Sequence, residues 1–402
     1  MTLLNPRHWL AVLLLSLASL QLWAQTPTVN APVPTPNVSP QPAIIPAPPE
    51  VAARAYILMD ADSGQIIMQQ QADEPMPPAS LTKMMTSYVV EYEADQGKIK
   101  YTDPVLISVN AWRTGGSKMF VREGNTVAVE DLLRGIIIQS GNDASIAMAE
   151  HIAGSESAFA DVMNQHARLL GMNKTNFVNA TGLPDPNHYT TARDLAILAR
   201  ALIKQFPEQY KLYAEKYFTW NDIRQPNRNL LLWRDSTVDG LKTGHTEEAG
   251  YCLVASAVRD GMRLISVVLG TVNEEARARE TQKLLSYGFR YFETHSLYSA
   301  GQPLQDARVW KGAVDTVQMG LSEPVAVTIP RGQKDQLQAT LEMDPLLTAP
   351  LTQGQVLGQL KVTLNDNLVA ERPLIALQAV EEGSFFKRLW DAVVLFFKGL
   401  IS

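Results

Sequence analysis

Cysteine is almost absent: one residue in 402 leaves no intramolecular disulfide and no cysteine-rich zinc or iron–sulfur centre. Histidine is scarce too. The six, at positions 8, 151, 166, 188, 245 and 295, nowhere show H-E-x-x-H or similar ligand spacing, so neither a metal nor another cofactor is expected. An excess of positive charge is also missing. With 35 Lys and Arg against 41 Asp and Glu, the formal net charge is −6, which argues against nucleic acid as the main partner. The composition that remains, 46% hydrophobic and 19% charged, is globular and excludes a chain disordered throughout. At roughly 150 residues per domain, the length suggests two or three domains.

Both ends carry membrane-related patterns. Arg7 and His8 precede the apolar run Trp9 to Leu20, and Ala24 is a small residue suited to cleavage before Gln25, so 1–24 reads as a secretory signal. The alternative, an uncleaved anchor, is disfavoured because the run is short for a membrane span. Residues 25–50 are rich in Pro, Ala and Thr without apolar periodicity and read as a disordered or extended tether. At the other end, 384–402 place Phe386, Leu389, Trp390, Val393, Phe397 and Leu400 at helical spacing, with Lys387, Asp391 and Lys398 opposite. Lys387, Arg388 and Lys398 outweigh Asp391, so the stretch suits a helix lying in a membrane interface better than one crossing it. A terminal helix docked on its own domain has the same amphipathic pattern. Together the ends suggest a protein held peripherally on the periplasmic face of a bacterial inner membrane.

Between the ends, 54–60 and 65–70 are strand-like and joined by the turn Ala61-Asp62-Ser63-Gly64. Helical patterns follow at 80–93, 129–152, 157–170 and 191–204. Strands return at 251–258 and 263–269, and a last helix is expected over about 274–291. Strands at both ends with helices inserted between them imply an α/β domain, 51–294, whose sheet is closed by distant parts of the chain. From 296 to 382, short strand candidates at 316–319, 325–329, 337–342, 359–364 and 370–377 read as a small all-β module without catalytic residues, a spacer or docking unit.

Three short motifs carry chemistry: Ser80-Leu-Thr-Lys83, Ser140-Gly-Asn142 and Lys242-Thr-Gly244. Each has a decoy, respectively Ser384-Phe-Phe-Lys387, Ser108-Val-Asn110 and Arg113-Thr-Gly115, which context separates. Ser80 follows Pro77-Pro78-Ala79 and opens an apolar-periodic helix, as a nucleophile at a helix N-terminus should. Residues three apart on a helix share a face, so Lys83 can reach the Ser80 hydroxyl, which is a weak nucleophile until a base takes its proton. Lysine serves as base only if its pKa falls; burial and a second cation, Lys242, would lower it. Ser140, at a break in an apolar stretch, would relay a proton to the leaving amine, and Asn142 would hold Lys83 and the substrate amide. Lys242 supplies charge near a substrate carboxylate, Thr243 a hydroxyl, and Gly244 room for a peptide to pair with a strand edge. The backbone N–H groups of Ser80 and His245 are the natural oxyanion hole.

In these motifs, and in the stretches PPASLTKMM, SGNDAS, NATGLP, VDGLKTGHTEEAGYCLVASA and YGFRYFET, the chain resembles the penicillin-binding proteins, specifically the low-molecular-mass D-alanyl-D-alanine carboxypeptidases. The resemblance runs from about Arg54 to the C-terminus. It implies a β-lactamase/transpeptidase-like catalytic domain followed by a small β domain and an amphipathic helix. It makes Ser80 the acyl-ester nucleophile, Lys83 the general base, and Ser140 with Asn142 the second catalytic element. Lys242, Thr243, Gly244 and His245 form the substrate-binding strand. Arg228 in QPNRN and Arg277 in EEARARE are secondary candidates for binding the substrate's terminal carboxylate. The implied substrate is a peptidoglycan stem peptide ending in D-Ala-D-Ala, with β-lactams as inhibitors trapped on the same serine.

A β-lactamase, a D,D-endopeptidase and a non-catalytic cell-wall scaffold are the alternatives. A class A β-lactamase needs a deacylating glutamate, and the region after Asn179 offers Asp185 and Asp194 only. The remaining conspicuous residues have plain readings. Asp194 is taken as a helix residue with a structural partner, Cys252 as a small buried side chain, and Met84 and Met85 as core. His151 and His188 are taken as ordinary polar or half-buried residues.

Overall fold

The computed structural model describes Val29–Asn30 and residues 45–401, without the side chains of 29–30 and 398–401. The signal segment therefore lies outside the described residues. The chain divides into two units. One comprises residues 45–294 with Thr328–Arg331, the other 295–327 and 332–401 with the short strand Val29–Asn30.

In the first unit, strands β1 (Ala55–Asp60) and β2 (Ile66–Gln70) form the expected hairpin. The longer helices that follow are α1 (Lys83–Asp95), α2 (Val129–Ile137), α3 (Asn142–Ala153), α4 (Glu156–Leu170) and α5 (Ala192–Gln205). Strands β3 (Val238–Thr246), β4 (Gly250–Arg259) and β5 (Met262–Thr271) and helix α6 (Glu274–Tyr291) complete it. The antiparallel sheet runs β2-β1-β5-β4-β3, so the N-terminal hairpin closes a sheet built otherwise from the far end of the unit. Its strands are apolar on both faces because both are covered. Ile57, Met59, Ile265 and Val267 pack with Leu195, Leu198 and Leu202 of α5, while Tyr56, Leu58, Leu264 and Val268 pack with Leu284 and Leu285 of α6. A further core, built on Val90, Leu132, Leu133, Ile136 and Met148, holds the inserted helices together.

The helical pattern over 129–152 is two helices, parted at the break expected at Ser140. Ser140 adopts φ +60, which an α-helix cannot accommodate, and the Gly141 N–H turns back to the Gly135 carbonyl at 3.0 Å. A hairpin of Tyr217–Trp220 with Ile223–Pro226 and the pair Pro104–Leu106 with Thr126–Ala128 have no counterpart in the sequence patterning. They are three or four residues long, too short for a period to register. Residues 45–50, read as the end of a tether, lie on the first unit instead. Ile45 packs on the α6-side core, and Tyr287 Oη and Lys283 Nζ donate to the carbonyls of Pro46 and Glu50.

The second unit is built on β6 (Gln305–Trp310), β7 (Thr316–Gly320), β8 (Leu337–Met343), β9 (Leu347–Thr348), β10 (Val356–Leu364) and β11 (Asn367–Ala376). The sheet order is Val29–Asn30, β8, β10, β11, β7, β6, β9, so two residues of the tether add a strand to its edge. Helix α7 (Phe385–Ile401) follows. Its Asp391, 5% exposed, accepts from the Lys311 N–H at 2.6 Å, and Lys387 and Arg388 pair with Asp315 and Glu382. The polar edge is thus docked on the β module, while Phe386 and Trp390 stay 81% and 69% exposed. No helix among the described residues is long and apolar enough to cross a membrane.

Candidate active site

Ser80 lies in a 3-10 turn, Ala79–Thr82, that leads directly into α1, whose first residue is Lys83. Met84 and Met85 are completely buried and anchor the helix, leaving Lys83 aimed inward at 1% exposure. Lys83 Nζ stands 3.2 Å from Ser80 Oγ, 2.8 Å from Asn142 Oδ1 and 2.5 Å from the Thr181 carbonyl. Two of these partners are carbonyl oxygens that can only accept. A neutral amine has two N–H bonds to give, so satisfying both acceptors turns its lone pair toward the Ser80 hydroxyl. The geometry therefore suits a base, and burial supplies the protonation state by pushing the lysine down to about 7.

The second cation expected beside Lys83 was Lys242; in the structure it is Arg228 that adds to burial in lowering Lys83, against Asp143 and Glu156, which raise it. Lys242 is itself held well below its ordinary range by burial, then by Lys83, Arg228 and Arg277. A group that resists protonation cannot act strongly on its neighbour. Lys242 Nζ donates to Ser140 Oγ at 3.0 Å and to the Thr243 carbonyl at 3.1 Å, which joins edge strand β3 to the turn between α2 and α3. Asn142 opens α3 directly after that turn. Its Nδ2 donates to the Gly115 carbonyl at 2.7 Å, so its two ends bridge Lys83 and the 114–119 loop.

On β3, Thr243 is buried and His245 is exposed, its ring tilted against Tyr251 at 3.9 Å between centroids. Gly244 also has a packing role: a Cβ there would meet Pro78 O at 3.0 Å and Ala79 Cβ at 3.3 Å, so the missing side chain admits the nucleophile turn of the same chain. Arg228 Nη1 donates to Ser117 Oγ at 2.8 Å. Arg277, 3% exposed, lies over the Tyr251 ring with Glu274 as its ion-pair partner. Both guanidiniums act on Lys242, so the two arginines, both far from the serine in sequence, contribute positive charge to the same cluster.

Several partners carried no signal in the sequence because they act through backbone atoms: the carbonyls of Thr181 and Gly115, and the amides of Met119, Phe120 and Val121 that donate to Asp143. His188 is fully buried rather than half-buried. Its Nδ1 accepts from the Val178 N–H, which places its proton on Nε2 facing Thr82 Oγ1 at 2.7 Å, and burial lowers its pKa to about 4. The plain readings hold elsewhere. Asp194 accepts from Lys174 N and Thr175 Oγ1, His151 is exposed, and the buried Cys252 thiol is pushed up to about 11. Among the described residues no cluster could hold a metal ion.

A family model described as D-alanyl-D-alanine carboxypeptidase matches residues 43–273, and one for the C-terminal domain of penicillin-binding protein 5 matches 292–382. The chain is 49% identical to the D-alanyl-D-alanine carboxypeptidase DacC of Escherichia coli over 357 residues, 87% of this chain and 89% of that one. It is 45% identical to DacA of Haemophilus influenzae, covering 88% of this chain and 92% of that one. Among solved structures, penicillin-binding protein 5 from Haemophilus influenzae superposes with a TM-score of 0.80 at 45% identity, over 84% of this chain and 99% of that one. The ampicillin-bound penicillin-binding protein D2 from Listeria monocytogenes matches with a TM-score of 0.56 at 32% identity, over 61% of this chain and all of that one. The chain belongs to the D-alanyl-D-alanine carboxypeptidase family.

Proposed function

We propose that this chain is a serine D-Ala-D-Ala carboxypeptidase that removes the terminal D-alanine from peptidoglycan pentapeptides. Ser80 Oγ attacks the carbonyl carbon of the penultimate D-alanine and its proton passes to Lys83 Nζ. The oxyanion forms against the N–H groups of Ser80 and His245. As the C–N bond breaks, Ser140 delivers its proton to the departing amine and takes up the one held by Lys83, which returns to the neutral form. Water then hydrolyses the Ser80 ester, with Lys83 again as base. Lys242, Thr243, Arg228 and Arg277 hold the substrate carboxylate. A β-lactam, opened by the same serine, leaves a slow ester.

The observation that carries this reading is Lys83: buried, lowered by that burial to about 7, and bound by two acceptors that leave its lone pair to Ser80. We place the protein, exported, on the periplasmic face of the inner membrane, attached peripherally through α7. The test is D-alanine release from a diacyl-L-Lys-D-Ala-D-Ala peptide by the full chain beside its Ser80→Ala variant. Release that vanishes in the variant supports both activity and nucleophile. A penicillin adduct without release would point to endopeptidase or β-lactamase, and neither adduct nor release to a scaffold.

A further inference from the structure

We infer that Glu156 is a positioning residue for the acylation step, fixing the Thr181 carbonyl against Lys83 from the far side of the loop that carries it. This rests on the reading of Lys83 as base.

The loop 178–182 forms no regular structure, yet side chains from several distant segments bind its backbone. His188 Nδ1 accepts from Val178 N at 3.2 Å, and Glu156 Oε1 accepts from Ala180 N at 3.0 Å. Thr86 Oγ1 donates to the Ala180 carbonyl at 2.7 Å. Asn179 Oδ1 takes the N–H groups of Thr181 and Gly182 at 3.1 and 2.7 Å. Lys83 completes the set at the Thr181 carbonyl. Glu156 is suited to hold this loop still. It opens α4, where the Ser155 side chain caps the helix and the helix N-terminus favours a carboxylate. Its grip is one residue from the carbonyl that decides which way the Lys83 lone pair faces. If Ala180 shifts, the Thr181 acceptor moves off Nζ, and the amine is free to turn away from Ser80.

The carboxylate also has a charge. The ionisable groups that act with Lys83 are Arg228, Asp143, Glu156, Lys242 and His188. Glu156 raises Lys83, so removing its charge lowers the lysine further. Position and charge can therefore be separated, because glutamine keeps the acceptor oxygen and loses only the charge.

The experiment is a pH profile of kcat/KM for D-alanine release by the full chain and by Glu156→Gln and Glu156→Ala, with thermal unfolding of each. Glu156→Gln should move the acid limb about half a pH unit toward lower pH and leave the plateau within about twofold of wild type. Glu156→Ala should lower the plateau about tenfold or more, while each variant retains a cooperative unfolding transition. The assignment is overturned if the glutamine variant's limb stays in place, or if glutamine and alanine lose activity equally. A wild type with no acid limb between about pH 5 and pH 9 would remove the lysine-base reading itself, and the Glu156 assignment with it.

Discussion

Lys242 donates to Ser140 Oγ across 3.0 Å, which ties the sheet edge to the helix turn on the opposite side of the nucleophile. With that lone pair of the oxygen occupied, the Ser140 hydroxyl proton is left to point elsewhere, and the cleft is where a leaving amine would need it. Ser140→Ala should therefore lower kcat for D-alanine release about a hundredfold or more, the usual worth of a positioned proton donor, with a much smaller change in KM. Steady-state kinetics on the peptide decide the matter. A rise in KM at constant kcat would make Ser140 a binding group instead.

Gly182 → Ala tests how closely the nucleophile turn and the 178–182 loop are fitted. Gly182 has φ +82, and a Cβ built there would lie 1.8 Å from the Ala79 carbonyl oxygen, a backbone atom that cannot rotate away. Ala79 is adjacent to Ser80 and itself at φ +48, so either the loop or the nucleophile must move. The expected outcome is a β-lactam acylation rate reduced about a hundredfold and a melting temperature several degrees lower. Stopped-flow acylation with a chromogenic cephalosporin and a thermal melt read both. An unchanged acylation rate would mean that the turn tolerates displacement.

What could be read from sequence divides by the range of the interaction. Ser80 and Lys83 are legible because three residues on one helix face suffice to pair them, and α6 is legible because it is long and periodic. Gly244 was legible as a constrained position, but its fit against the Pro78 carbonyl was not, because only folding brings that atom near. The acceptors around Lys83 were invisible, because the Thr181 carbonyl is common to every residue type and only folding brings it within reach. Glu156 carries no local signal for a related reason: it reaches the 178–182 loop from the start of a different helix and not along the chain. The break at Ser140 was legible as a turn in an apolar stretch, although apolar residues on both sides of it carry the helical pattern across 129–152.

Glu91 → Met should stabilise the protein. Glu91 sits two turns beyond Lys83 on α1, is 0% exposed, and has no hydrogen-bond partner on either carboxylate oxygen among the described residues. Burial holds its pKa well above the usual 4.5, so the folded chain keeps a proton that the unfolded chain releases. Wild-type stability is then full below the unfolded pKa and falls as pH rises toward the folded one. Methionine has no such dependence and no orphaned polar atoms. The variant should gain about 1–3 kcal/mol, with the gap in melting temperature wider at about pH 8 than at about pH 5. A gap that is constant with pH would show that the wild-type carboxyl is not held neutral in the fold.

The exposed side of α7 makes a prediction about lipid. Asp391 is spent on the Lys311 amide, and Lys387 and Arg388 on Asp315 and Glu382, so the polar groups of the first turns face the β module. Phe386, Leu389, Trp390, Val393 and Phe397 are left open on the other side. An apolar row of that kind, not long enough to span, fits the interface of a bilayer. Trp390 provides the readout: on addition of vesicles containing anionic lipid, its fluorescence should shift to the blue, and the protein should float with the vesicles. Phe386→Glu and Trp390→Glu should each weaken binding about tenfold or more while leaving D-alanine release from a soluble peptide unchanged. Because the chain has six other tryptophans, the spectral test compares the full chain with Trp390→Phe. If vesicles bind the Glu variants as tightly as the wild type, the helix is not the attachment. Its open face would then have to be covered by protein.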